Sequence, residues 1–314
     1  MKTTTGCLVA GTRPEEIKLY SLWRALGLKA IWTNQSPDLK QKLIDFDYNC
    51  TTETIGGVLD RERPQYLIVQ GDTRTAFRGA VSAFERQIPV IHLEAGLRSW
   101  DLSKPFPEEG YRRMISEIAS IHLCPTVGAA NNLSGKQNVF VVGQTSLDYL
   151  KTLVKPATQE NFALVTIHRR EADINRVIEE LKKVQEMIPL KIFAHPNQKG
   201  QELRKHFKCL DPLPYEQFVQ ELAKCRLIIS DSGGIQEEAP FLNKPLVIAR
   251  ELTERPEILD TGGAILAGYN LAEAVGFVIH NEIQHSYNPF GLGVAAKLIK
   301  EILNAYFEPS NRES

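Results

Sequence analysis

Three acidic residues in this 314-residue chain share a position type: each stands at the end of a short apolar run or opens the helix-like stretch after one. They are Asp72 in "QGDTRTAF", Glu94 in "HLEAGLRSW" and Glu108 in "PEEGYRR". Taken singly, each has a plain structural explanation. Asp72 falls where a helix N-cap is expected. Glu108 and Glu109 complement the dipole of a helix that Pro107 opens. Taken together they predict acid/base chemistry. Three carboxylates facing one space repel one another, and at least one is driven to hold a proton while another accepts one.

A second set of residues predicts an anion. His168 ends a strand-like run and is followed by Arg169 and Arg170, three donors able to neutralise a pyrophosphate. In "GTRPEEIK", Gly11 permits a tight turn, Pro14 suits a first helical turn, and Arg13 and Lys18 flank the helix start. A helix start with solvated charges explains those eight residues equally well. In "SDSGGIQEEAP", Ser232, Gly233 and Gly234 present backbone N–H groups at a helix N-terminus. Glu237 and Glu238 lie one turn further on, placed to accept from a sugar's vicinal hydroxyls. The ligand that needs both a phosphate cradle and carboxylates is a nucleoside diphosphate. His195 in "FAHPNQ" is as well explained by turn formation as by function.

The elements that must position these residues alternate. Strand-like runs at 6–10, 29–33, 66–70, 88–93, 120–124 and 139–142 are separated by helical patterns such as 14–26, 73–86 and 107–118. The series restarts at 162–167, 190–194, 207–210, 226–230 and 245–249. Several runs are apolar throughout, as parallel strands covered on both faces are. The expected fold is α/β, with two Rossmann-like domains and a ligand cleft between them. The first spans 1–152 and the second 160–290, joined through the polar stretch 151–161.

Composition limits the partners. Net charge is −1, with 43% hydrophobic and 24% charged residues, so no global field draws the chain to nucleic acid or a membrane. The five cysteines are scattered and never form C-x-x-C, and most sit beside apolar runs, which predicts small buried residues in place of a disulfide frame or a zinc site. The N-terminus lacks a signal-peptide core and no segment approaches ~20 apolar residues, so the expected location is cytoplasmic.

The motifs "GTRPEEIK", "GDTRTAF", "HLEAGLRS", "PFPEEGYRRMIS", "HRRE", "SDSGGIQEEAPFLNKPLVIARELTERPE" and "YNPFGLGVAAKLIKEIL" occur in order from Gly11 to about Leu303. Together they resemble the non-hydrolysing UDP-N-acetylglucosamine 2-epimerase family. The resemblance implies a glycosyltransferase-B-like fold whose C-terminal helix, about 291–306, returns to the first domain. It implies reversible interconversion of UDP-GlcNAc and UDP-ManNAc by anti elimination of UDP and re-addition through 2-acetamidoglucal, in bacteria commonly for surface polysaccharide synthesis. Asp72, Glu94 and Glu108 then form the acid/base set, and His168 stabilises or protonates the leaving phosphate. Arg13, Lys18, Ser232, Gly233 and Gly234 hold the phosphates, and Glu238 holds the ribose. Arg255 of "TERPE" belongs to the UDP site, and Arg112 and Arg169 join the substrate-binding set. Tyr215 or Phe218 packs on uracil, with core packing the alternative for Phe218. No nicotinamide or other cofactor and no metal is implied. The expected partners are the two UDP-sugars and a second copy of the chain in a homodimer, with no nucleic acid and no membrane.

The chain departs from the family pattern in places. It is shorter between "GTRPE" and "GDTR", and "GQT" (143–145) stands where the family has Gly-Asn-Thr. Asn34-Gln35-Ser36 replaces a Gly-Gln-His run, which puts substrate activation at a second UDP-GlcNAc site in doubt. A hydrolysing epimerase that releases UDP and ManNAc, or a glycosyltransferase of the same fold, are the alternative activities.

Overall fold

The computed structural model describes residues 6–35, 43–168 and 173–307, in two units. One lies within 1–149 and 290–314, the other within 150–289. The N-terminal unit holds β1 (Cys7–Ala10), β2 (Lys29–Trp32), β3 (Tyr48–Asn49), β4 (Leu67–Gln70), β5 (Val90–Leu93), β6 (Ile121–Cys124) and β7 (Val139–Val141). Its helices are α1 (Arg13–Leu26), α2 (Ile55–Glu62), α3 (Arg74–Phe84), α4 (Glu108–Ile118) and α5 (Val127–Asn131), while α6 (Thr145–Leu153) runs on into the other unit. That second unit holds β8 (Ala163–Thr166), β9 (Leu190–Phe193), β10 (Cys209–Leu210), β11 (Leu227–Ser230), β12 (Leu246–Ile248) and β13 (Ala264–Leu266). Around them lie α7 (Ile174–Met187), α8 (Gln198–His206), α9 (Tyr215–Lys224), α10 (Gly233–Phe241) and α11 (Leu271–Asn281). The last helix, α12 (Ala295–Phe307), belongs to the N-terminal unit.

The sheet orders are β3-β2-β1-β4-β5-β6-β7 and β10-β9-β8-β11-β12-β13, and the described pairs are parallel. Both are the doubly wound Rossmann order, which reverses direction between β1 and β4 and between β8 and β11. At such a reversal the following helices depart to opposite faces and leave the carboxyl ends of the strands open. All residues of β1, β4, β5 and β6 are buried, the pattern of strands covered on both faces.

Local chemistry sets the boundaries. The runs expected to start at 88 and 245 begin their strands at Val90 and Leu246, because Pro89 and Pro245 have no N–H to give a ladder. Instead their carbonyls accept from Leu67 and Ile228. Pro107 proves to be the cap before α4, not its first residue. Two strands were not anticipated: β3 has two residues and β13 has three partly buried ones, too short to show a period.

Helix α12 packs Ala296, Ile299 and Leu303 into the same apolar cluster as Leu19 and Leu22 of α1. Its first two amides are held by Asp148, whose Oδ2 accepts from Ala295 N–H and Oδ1 from Ala296 N–H, both at 3.0 Å. A charged cap of this kind contributes about 1–2 kcal/mol. Asp148→Ala should therefore lower unfolding free energy by that amount in urea titration, and an unchanged midpoint would contradict the cap. Phe290, 1% exposed, anchors the return to this unit by accepting Gln144 N–H at 2.8 Å.

Candidate active site

At the switch point of the N-terminal unit, the turns after β1, β4 and β5 come together. Gly11 ends β1 where no side chain fits: a Cβ would lie 2.2 Å from Thr75 Oγ1 and 2.3 Å from Thr33 Oγ1. Thr12 caps α1 and Pro14 sits in its first turn, so the helix starts immediately after the strand. Arg13 is the first residue of α1 and is half-buried. Glu15, 1% exposed, accepts from Gly11 N–H (3.0 Å), Thr12 Oγ1 (2.8 Å) and Thr73 Oγ1 (2.5 Å), joining the first turn to the second. Burial pushes its carboxyl up to about 7, against the pull of those hydrogen bonds.

Thr73, not Asp72, caps α3: its hydroxyl accepts from Ala76 N–H. The simple cap explanation for Asp72 is therefore corrected, and the side chain is left for another use. Asp72 Oδ2 lies 2.5 Å from Arg112 Nη2, from the second turn of α4. Glu108 opens that same helix one turn earlier, so it shares a face with Arg112. Glu94, immediately after β5, is 7% exposed and adopts φ +61°, a left-handed conformation that is costly for a residue with a Cβ. Lys18 Nζ reaches both its oxygens, at 2.6 and 2.7 Å. Gln70 and Gln144 also donate to it, the latter at 3.2 Å. A Cβ on Gly71 would stand 3.5 Å from Glu94 Oε2, so this carboxylate lies over the turn that leads into Asp72.

The expected repulsion among the carboxylates is thus not the governing interaction. Asp72 is matched by Arg112 and Glu94 by Lys18, because α4 and α1 each bring a cation to the strand ends. Lys18, assigned from the motifs to phosphate, holds Glu94 in this structure. Gln35 accepts from Thr75 N–H (2.9 Å) and Oγ1 (2.8 Å), at the start of α3. Ser36, next to it, lies outside the described residues.

Beneath the site, His92 of β5 donates from Nε2 to the Gly71 carbonyl at 2.8 Å. It stands opposite His122 of β6, and burial holds both imidazoles down to about 4. Between pH 6.5 and 4 the unfolded chain takes up two protons that the folded one refuses, so these groups cost stability as pH falls. Glu15 acts in the other direction: between 7 and 4.5 the folded state takes up a proton that the unfolded one refuses. From pH 6.5 to 4.5 the net is one proton, about 1.4 kcal/mol lost per pH unit from these three groups. His122→Gln should flatten the slope of unfolding free energy against pH by about that amount, and an undiminished slope would refute the assignment.

In the C-terminal unit, His168 follows β8 and Asp231 follows β11, the two strands that flank its switch point. Asp231, 1% exposed, holds His168 by both oxygens: Oδ2 accepts the backbone N–H and Oδ1 meets Nδ1, each at 2.9 Å. The imidazole is 41% exposed, and with Nδ1 turned to Asp231 its Nε2 is the nitrogen left for a ligand. His195 lies 6.2 Å from His168 between ring centroids, and its Nδ1 accepts from Asn197 N–H. Arg169 lies outside the described residues, as does Arg170.

Ser232 caps α10, and Gly233 and Gly234 open it. Gly233 leaves room for Arg255: a Cβ there would be 2.8 Å from Nη1. Arg255 donates from Nε to Glu237 Oε1 at 2.6 Å, so Glu237, expected near sugar hydroxyls, positions the arginine. Glu238 Oε1 accepts from Tyr215 Oη at 2.7 Å. Tyr215 therefore steadies the carboxylate assigned to ribose. Phe218 meets Phe193 edge-on at 5.5 Å, the packing alternative.

Glu15, Gln70, His92 and Asp231 were not singled out from the sequence, while Glu109 was read only as a dipole complement and Gln144 only as the middle residue of "GQT". Asp231 and Gln70 do carry a signal, a polar side chain directly at the end of an apolar strand. His92 carries one as the polar residue inside such a run. Among the described residues no cluster of His, Cys, Asp or Glu is arranged to hold a metal, and the five cysteines are free thiols.

Two Rossmann-like units in one chain, with polar residues gathered at both switch points, define a glycosyltransferase-B-like α/β protein. Within that class the chain belongs to the UDP-N-acetylglucosamine 2-epimerase family, whose model matches residues 25–304. It is 33% identical to the UDP-N-acetylglucosamine 2-epimerase of Bacillus subtilis, over 98% of this chain and 97% of that one. Among solved structures it is similar to the Neisseria meningitidis UDP-GlcNAc 2-epimerase bound to UDP-GlcNAc, with TM-score 0.86, 30% identity and 96% and 100% of the two chains covered. It is also similar to the Methanocaldococcus jannaschii enzyme in complex with UDP-GlcNAc and UDP, with TM-score 0.84, 31% identity and 96% and 99% covered.

Proposed function

We propose that this protein interconverts UDP-GlcNAc and UDP-ManNAc without hydrolysis, as a cytoplasmic, homodimeric isomerase that uses no cofactor. Family membership supports the substrate, and the observation that carries the chemistry is the pair of carboxylates Asp72 and Glu94, each matched by a cation, at the strand ends. The C2 proton of the sugar is not acidic in the ground state. It becomes so as the C1–O bond to UDP breaks and positive charge develops at C1. A carboxylate from the set of Asp72, Glu94 and Glu108 takes the C2 proton while the C1–O bonding pair leaves with UDP, giving the C1=C2 double bond of 2-acetamidoglucal. Re-addition of UDP to C1, with a proton delivered to the other face of C2, gives the epimer. The set supplies acid and base on both faces.

The departing diphosphate gains negative charge as the bond breaks, and groups that stabilise it accelerate the step. His168, oriented by Asp231, meets that charge through Nε2, and Arg255, Ser232, Gly233 and Gly234 bind the phosphates. Glu238 takes the ribose hydroxyls, with Tyr215 holding it in place. Arg13 completes the anion-binding groups of the N-terminal unit, and Arg112, assigned from the motifs to substrate, pairs with Asp72.

The test is proton NMR in deuterium oxide with UDP-GlcNAc as substrate. The expected result is deuterium at C2 in both UDP-sugars at equilibrium. Free ManNAc and UDP as sole products would replace this reading with hydrolysis, and binding without exchange at C2 would remove epimerisation altogether. No helix among the described residues is long and apolar enough to cross a membrane.

A further inference from the structure

We propose that Glu109 is a positioning residue that acts on Asp72 through Arg112 by virtue of its charge. It is fully buried at 0% exposure, in the first turn of α4 beside Glu108. Its Oε2 accepts from Ser99 N–H at 3.0 Å and from Arg112 Nη1 at 3.4 Å. Arg112 turns its other terminal nitrogen, Nη2, to Asp72 at 2.5 Å. One guanidinium thus spans two carboxylates, one buried and closed to ligands, the other at the strand ends.

The unusual feature is the second oxygen. Glu109 Oε1 is buried and has no hydrogen-bond partner. A buried acceptor left unmade is destabilising, and more so when it is charged. If Glu109 served only to anchor the loop through Ser99, a neutral side chain with one carbonyl would do so without burying a charge. What only a carboxylate provides is a fixed negative charge behind Arg112. It holds the guanidinium plane so that Nη2 points at Asp72, and it shares the cation's charge, so Asp72 is not fully neutralised by its partner. The surroundings fix the geometry further. Ser116 Oγ donates to the Arg112 carbonyl at 2.9 Å and accepts from Arg98 Nη2 at 2.9 Å, tying α4 to the loop that follows Glu94.

This inference rests on the proposed role of Asp72 and deepens it. The test is a double-mutant cycle with Glu109→Gln and Asp72→Asn. Glutamine keeps the volume and a carbonyl for Ser99 N–H while removing the charge. Expected for Glu109→Gln is a kcat about 10–100-fold lower with KM within about threefold, and no more than about twofold further loss when it is added to Asp72→Asn. Wild-type kcat in Glu109→Gln, or multiplicative losses in the double variant, would overturn the inference. If Glu109→Gln does not fold, Glu109→Asp is read in the same cycle, and multiplicative losses there overturn it equally. Near-normal turnover in Asp72→Asn alone would instead remove Asp72 from the mechanism, which is a different failure.

Discussion

Glu94→Gln should lower kcat by at least about 100-fold, the scale of a lost acid/base group. The loss should appear equally in deuterium exchange at C2, because proton transfer there is the step the carboxylate serves. Three features of its setting make it the position with the largest expected effect. It is kept at φ +61°, where a side chain costs about 1–3 kcal/mol, and such strain persists where the surroundings over-determine it. It is nearly buried yet accepts from Lys18, Gln70 and Gln144 at once, so its orientation is held from three elements. It also lies over the turn that carries Asp72. The amide of glutamine would keep the size but leave the Lys18 ammonium, at 13% exposure, without its counter-charge. Removing one partner of a buried pair is strongly destabilising, so the unfolding midpoint should fall as well. Retained exchange at C2 in folded Glu94→Gln would exclude Glu94 from the proton transfer.

Which residues were legible in the sequence follows from how local their signals are. The strand-end placement of Asp72, Glu94, His168 and Ser232 could be read because each stands within two residues of the end of a strand, and a doubly wound sheet aligns such ends. The parallel sheets were legible for the same reason: a strand such as Leu67–Gln70 with every residue buried has no polar face to alternate. What was not legible is which charge meets which. Lys18 is 76 positions from Glu94, and Arg112 is 40 from Asp72, and no spacing rule connects them. The motifs therefore predicted mutual repulsion among carboxylates where the folded chain supplies a cation to Asp72 and to Glu94. Roles within one turn were confused for a related reason. Asp72 and Thr73 are both good caps, and only the hydroxyl of Thr73 bonded to Ala76 decides between them. Tyr215 was read by its ring, whereas its hydroxyl on Glu238 is what the structure displays.

Asp231→Asn should lower kcat by about 100-fold while leaving the unfolding midpoint nearly unchanged. Asp231 touches His168 twice, and asparagine separates the two contacts. Its carbonyl can still accept the backbone N–H, so the turn after β8 keeps its anchor. Its amide nitrogen, however, is a donor, and where Oδ1 meets Nδ1 at 2.9 Å it forces that nitrogen to become an acceptor. The ring then keeps its place but no longer has a carboxylate behind it as it meets the charge of the departing diphosphate. The effect belongs to the bond-breaking step and not to ground-state binding, so KM should change little. His168→Ala provides the reference: if Asp231 acts only through the imidazole, Asp231→Asn adds nothing to it in the double variant. A further loss in that double variant would show that Asp231 has a second role, at the start of α10, where it directly precedes the cap residue Ser232.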